Sequence, residues 1–115
     1  MNKLGVAAEQ RALAFVKCQG LTLLESNYRC RYGEIDIICR DQSVLVFIEV
    51  RFRANLQFGG AAASVTARKQ HKILRAAQNY LMQHGNQACR FDVIAFDGDA
   101  DYPTEWIKNA FDEQL

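Results

Sequence analysis

Two acids stand inside a stretch that is otherwise composed for burial. Between Gly33 and Arg53 the sequence reads GEIDIICRDQSVLVFIEVRFR, with apolar runs Ile35–Cys39 and Val44–Phe52 joined by the polar turn Arg40-Asp41-Gln42-Ser43. Short β-branched runs bounded by turn residues read as the paired strands of a buried hairpin. A strand apolar on both faces expects cover on both, so Asp36, Glu49 and the leading Glu34 are expensive there without a reason. Side chains alternate along a strand, which puts Glu34, Asp36 and Ile38 on one face. By the same rule Phe47, Glu49, Arg51 and Arg53 share a face of the next strand. Asp36 and Glu49, on adjacent strands and aimed to one side, then form a divalent-cation site, and hard oxygen ligands suit magnesium or manganese. Such an ion lowers the pKa of bound water and stabilises charge on a phosphate. Arg51, two residues past Glu49 on its face, is placed to hold that phosphate or to orient a nucleophile. The plainer reading is a structural acid pair satisfied by Arg51 or Arg53.

The elements that must position these groups follow from periodicity and punctuation. Residues Lys3–Gln19 read as a helix ended by Gly20, with Val6, Leu13 and Val16 on one stripe and Glu9 on the same stripe. Glu9 either snorkels at the stripe edge or points into a polar pocket facing the sheet. Leu21–Cys30 reads as a strand with a break at Glu25-Ser26-Asn27, and Gly33 permits a tight turn into the hairpin. Three strands with short connections imply an antiparallel meander. The Gly-containing segment Ala54–Ala63, around Phe58-Gly59-Gly60, reads as a loop covering the end of the acid-bearing strand. Ser64 or Thr66 can cap a second helix running to His84 and stopping at Gly85, with a buried stripe of Ile73, Leu74, Ala77, Tyr80 and Leu81. Lys69, one turn before Ile73, turns toward the sheet, whereas Lys72, Arg75 and Asn79 face outward. Gln70 is placed to support the site, and His71 and His84 read as surface residues. Cys89–Phe96 follows as a fourth strand, parallel to a sheet neighbour through the helical crossover. The aromatics Trp106 and Phe111 anchor a short terminal strand or helix. The order αβββαβ gives an α/β (α+β) fold, a central mixed β-sheet flanked by helices.

Composition bounds the function. The chain has 115 residues, half of them hydrophobic, with one Pro, which describes one globular domain over 1–115. No apolar segment approaches the roughly 20 residues of a membrane span, and the N-terminus lacks the layout of a signal peptide. Cys18, Cys30, Cys39 and Cys89 include no CxxC pair and read as reduced thiols of a cytoplasmic protein. The formal net charge of +1 hides a segregation. No acid occurs between Glu49 and Asp92, whereas Arg51, Arg53, Arg68, Lys69, Lys72, Arg75 and Arg90 all fall there, and the acids from Asp92 onward face only Lys108. A basic middle and acidic tail are what a polyanion-binding surface would show; a solvated helix face with counter-charges elsewhere in the fold would look the same.

Several blocks together carry a resemblance over nearly the whole chain. They are Asn27-Tyr28-Arg29, Gly33-Glu34-Ile35-Asp36, Phe47-Ile48-Glu49-Val50, Lys69-Gln70, Arg90-Phe91-Asp92-Val93 and Trp106-Ile107-Lys108-Asn109-Ala110-Phe111. With them the chain resembles the YraN-like family of small bacterial proteins, a branch of the PD-(D/E)XK nuclease superfamily similar to archaeal Holliday-junction resolvases. The resemblance implies a restriction-endonuclease-like core, with Asp36 and Glu49 as ligands of magnesium or manganese, the Val50 carbonyl as a third and Glu9 as an auxiliary ligand or structural partner. It implies a metal-dependent endonuclease acting on DNA, branched or four-way junctions included, in repair or recombination. A two-fold homodimer would suit such a junction. The superfamily motif ends in Lys where this chain has Arg51. Arginine is a planar fork that stays protonated, suited to clamping phosphate and less to activating water. Lys69 would then supply the missing ammonium. Arg51, Arg53, Arg68, Lys69, Lys72 and Arg75 are the expected nucleic-acid contacts. The rival readings are a nucleic-acid-binding module without cleavage and a small adaptor whose basic helix meets an acidic protein.

Overall fold

The apolar runs do become strands, and each face of the sheet they form is covered by a helix. The computed structural model describes residues 3–53, 65–98 and 102–112. Its elements are α1 (Lys3–Cys18), β1 (Thr22–Cys30), β2 (Gly33–Asp41), β3 (Val44–Arg53), α2 (Ala67–His84), β4 (Cys89–Asp97) and β5 (Glu105–Phe111). The strands lie in the order β1-β2-β3-β4-β5. β1, β2 and β3 form the expected antiparallel meander, β4 is parallel to β3 through the α2 crossover, and β5 closes the sheet antiparallel to β4. The terminal segment is therefore a strand, which the sequence left open against a helix. The expected covering loop around Phe58-Gly59-Gly60, together with Ser64, lies outside the described residues, as do the side chains of Val6 and Arg53.

Two separate cores explain why the central strands are apolar on both sides. Ile38, Leu45, Phe47, Phe91 and Val93 pack with Ile73, Leu74, Ala77 and Tyr80 of α2. Ile37, Cys39, Val46, Ile48, Ile94 and Phe96 pack with Ala8, Ala12 and Val16 of α1. The ridge of α1 is thus narrower than the expected Val6-Leu13-Val16 stripe: Ala8 and Ala12 are fully covered and Leu13 is only partly buried. Small residues let the helix lie close to the sheet, and burying a few more methyl groups of β2 and β3 compensates for their size. Cys39 belongs to this core, and burial pushes its thiol up to about 12, so it packs as a small apolar side chain. Thr66 caps α2 by accepting from the Lys69 N–H at 3.2 Å, and Gly85, at φ 93°, ends it.

Strict alternation fails at one place in β2. Ile35 packs on the α2 side and Ile37 on the α1 side, although two residues apart they should share a face. The ladder between β2 and β3 pairs Ile37 with Ile48 and goes no further toward Glu49. There the Asp36 carboxylate replaces a ladder bond, its Oδ2 accepting from the Val50 N–H at 2.8 Å. The strands part at Asp36, and a side chain satisfies the backbone donor that parting would otherwise leave buried and unpaired. The expectation that Glu34, Asp36 and Ile38 share a face is corrected accordingly. Glu34 is partly exposed and pairs with Arg29 at 3.2 Å.

Asp92 corrects the charge map. Counted by sequence with the acidic tail, it is fully buried at 0% exposure. Its carboxylate accepts from Arg90 Nε at 3.1 and 3.2 Å, from Trp106 Nε1 at 3.0 Å and from the Asn109 N–H at 2.9 Å. Asn109 has φ 55°, and the β4–β5 register shifts between Phe91 and Val93. The Asp92 carboxylate therefore organises a bulge in the edge strand, where an extra residue would otherwise leave an amide without a partner. Arg90 also donates to Asp41 at 3.0 Å, so it is a tie between β4 and the β2–β3 turn and not part of a polyanion surface.

Candidate metal and nucleic-acid site

The parting of β2 and β3 brings the two predicted acids together. Asp36 is 9% and Glu49 4% exposed, and the two carboxyl groups are hydrogen-bonded to each other. Lys69 Nζ stands 3.6 Å and Arg51 Nη1 3.7 Å from the same Glu49 oxygen. Glu49 lies on the α2 face because it follows Phe47 by two residues, and Lys69 reaches it from the first turn of α2. The sequence expectation for both is met. At 3.6–3.7 Å the cations approach the carboxyl without the short contacts of charge-assisted hydrogen bonds.

The electrostatics of Glu49 follow from its surroundings. Burial is the largest influence and disfavours the charged form, and Asp36 adds to it by hydrogen bonding and by its charge. Lys69 and Arg51 oppose both, but Glu49 is still held far above the usual carboxylate range. Two buried carboxyls this close hold a proton between them more readily than two full charges.

A divalent cation fits the same geometry. Two oxygen-donor side chains converge there, and a cation would offset the Asp36 charge that adds to the effect of burial on Glu49. Among the described residues no group of three His, Cys, Asp or Glu is arranged to hold a metal.

Other candidates fall into place around this pair. Glu9 is 5% exposed and points into the protein, as the sharper of its two readings required. Its carboxyl is raised by burial and by the charge of Asp36, and a side-chain hydrogen bond with Asn27 works against that rise. Glu9 is thus a neighbour of Asp36 with a protein partner of its own, outside any cluster of three acids among the described residues. Val50 meets Asp36 through its N–H. Gln70 donates to the Val65 carbonyl at 3.0 Å and so fastens the start of α2. His84 lies at the far end of α2, stacked on Tyr80 at 4.0 Å.

Arg68, Lys72 and Arg75 are exposed on the outer side of α2. With Arg31, Tyr32 and His71 they line an open groove of about 580 Å³ between α2 and the β1–β2 turn. Arg31 and Tyr32 escaped the sequence reading because they are distant in sequence from α2. The signal was Gly33. A Cβ there would lie 3.3 Å from Lys72 Cβ and from the Lys72 carbonyl oxygen, so the turn lies close against the helix and a larger residue would push them apart by a few tenths of an ångström. Asn27, in the break read from sequence, has φ 54°, and its side-chain hydrogen bond with Glu9 was not foreseen.

Comparison with known proteins agrees with the resemblance read from the motifs. A family model described as "Uncharacterised protein family UPF0102" matches residues 8–96. A UPF0102 protein of Nitrosomonas europaea is 54% identical over 110 residues, covering 95% of this chain and 93% of its own. One from Aeromonas hydrophila is 54% identical over 107 residues, covering 90% and 80%. One from Legionella pneumophila (strain Corby) is 50% identical over 111 residues, covering 94% and 93%. No helix of the described residues is long and apolar enough to cross a membrane.

Proposed function

The chain belongs to the UPF0102 (YraN-like) family, and on that footing we propose that it is a magnesium- or manganese-dependent endonuclease acting on DNA in repair or recombination. The observation that carries this reading is the buried Asp36–Glu49 carboxyl pair with Lys69 and Arg51 within 4 Å of it. Asp36 and Glu49 would hold the cation, which when bound supplies charge stabilisation at the phosphate and an acidified water. The protein's own groups do the rest. Arg51, a planar fork, grips a phosphate oxygen and fixes the strand. Lys69, 3.6 Å from Glu49, would supply from α2 the ammonium that the superfamily's motif carries on the strand. A compact ammonium beside Glu49 can orient the attacking water and stabilise charge on the phosphate as the bond forms. The parted strands leave Asp36 tied to the Val50 amide, so the pair keeps its geometry when substrate arrives.

The test is cleavage of branched and linear DNA with manganese. Glu49→Ala should abolish cutting and leave binding intact. Lys69→Met should slow cutting by about 100-fold with little change in affinity, in line with the loss of one transition-state donor. A Glu49→Ala protein that cuts like wild type would overturn the proposal.

A further inference from the structure

The groove beside α2 has a chemistry separate from the carboxyl pair. Arg68, His71, Lys72 and Arg75 recur at i, i+3, i+4 and i+7, a single stripe on the helix. The opposite wall is the two-residue turn Arg31-Tyr32. The Arg75 guanidinium lies 4.7 Å and that of Arg31 5.1 Å from the centroid of the Tyr32 ring. Among the described residues no carboxylate forms an ion pair with Arg31, Arg68, Lys72 or Arg75. α2 itself carries no acid. Aligned cations repel one another, and the tyrosine ring holds two of them in place by cation–π attraction. Such a groove is preorganised for an anion.

Its shape selects the anion. The groove is open, and its volume of about 580 Å³ is that of one or two nucleotides. A single strand can lay its backbone along the stripe and splay a base onto the guanidinium planes that the Tyr32 ring holds in place, and such planes accept any base. Lys69, on the sheet-facing side of the same helix turns, lies about 9 Å along the axis from Arg75 at 1.5 Å per residue. We infer that the groove seats an unpaired strand of one or two nucleotides next to the Glu49 site, so the substrate is DNA with a single-stranded segment beside the cleavage position. This rests on the nucleic-acid reading above.

Binding of labelled single-stranded and duplex oligonucleotides, followed by fluorescence anisotropy across a salt series, tests it. The proteins are wild type, Arg31→Ala/Arg75→Ala, Tyr32→Phe and Tyr32→Ala, all altered at solvent-accessible positions. The double variant should bind single strand at least 10-fold more weakly and lose about 1.4 from the slope of log K against log salt, at roughly 0.7 per phosphate contact. Duplex affinity should change less than 3-fold. Tyr32→Phe should behave as wild type, and Tyr32→Ala should weaken single-strand binding. If wild type binds DNA and the double variant matches it, the groove is overturned while the nucleic-acid reading stands. Equal losses on both substrates would overturn the single-strand assignment. A wild-type protein that binds neither would overturn both the groove and the reading beneath it.

Discussion

Glu49→Gln should make the protein more stable than wild type at neutral pH, by about 2–3 kcal/mol in metal-free buffer. The sign follows from the direction of the shift. The folded carboxyl holds its proton to a pH well above that at which the unfolded chain releases it, chiefly through burial and then through Asp36. Between the ordinary carboxylate pKa and the raised one, the native state carries the extra proton, and stability falls as pH rises, by roughly 1.4 kcal/mol per unit for one group. Below the ordinary value both states are protonated and the effect vanishes. Glutamine copies the protonated carboxyl in shape and can still donate to Asp36, without the need to hold a proton. Urea unfolding from pH 4 to pH 9 should show the two curves converging in acid and separating toward alkali. Glu9 is shifted in the same direction, so the Glu49→Gln protein retains part of the slope. The excess attributable to Glu49 is what the substitution removes.

The second large effect lies away from the candidate site. Asp92→Ala should destabilise the fold by about 3–5 kcal/mol, the range for removing one partner of a buried charge pair. It strands the Arg90 guanidinium with Asp41 alone and leaves the Trp106 and Asn109 N–H groups without their acceptor. Asp92→Asn keeps the volume and two acceptor lone pairs, and should cost roughly half as much. Urea midpoints measure both, and loss of β5 should appear first as exposure of Trp106 fluorescence. If Asp92→Ala unfolded with the wild-type midpoint, the carboxylate would not be organising the edge strand.

How far the sequence alone reached depended on how local each signal was. The hairpin, both helices and the parallel fourth strand came from periodicity and from caps at Thr66, Gly20 and Gly85, all encoded within a few residues. The convergence of Asp36 and Glu49 was also legible, because two acids in otherwise buried strands have few explanations. Alternation went wrong in β2 because the strands part at Asp36, and that parting depends on a side chain bonding the amide of Val50, fourteen residues on. Asp92 was misplaced for a similar reason. Its acceptor role requires Trp106 and Asn109 from a strand whose type was itself ambiguous in sequence. The Arg31-Tyr32 wall of the basic groove depends on a tertiary approach between Gly33 and Lys72. Lys69 lay between these cases. Its helical position placed it toward the sheet, but only the packing of α2 on β3 determines that it meets Glu49 and not some other group.

The placement of Arg51 and Lys69 gives the motif change a physical sense. Arginine in the strand supplies a fixed charge and a planar fork. Lysine on the helix brings the compact, adaptable donor to the same oxygen at nearly the same distance.

Calorimetric titration of manganese into the protein at pH 8 tests the central claim most directly, with wild type compared against Glu49→Gln. The account predicts a single saturable site in wild type that releases close to one proton as metal enters, seen as a dependence of the heat on buffer ionisation. Glu49→Gln should remove that site while the fold remains intact. No saturable binding by wild type, or binding unchanged by Glu49→Gln, would contradict the assignment of the Asp36–Glu49 pair as a cation site.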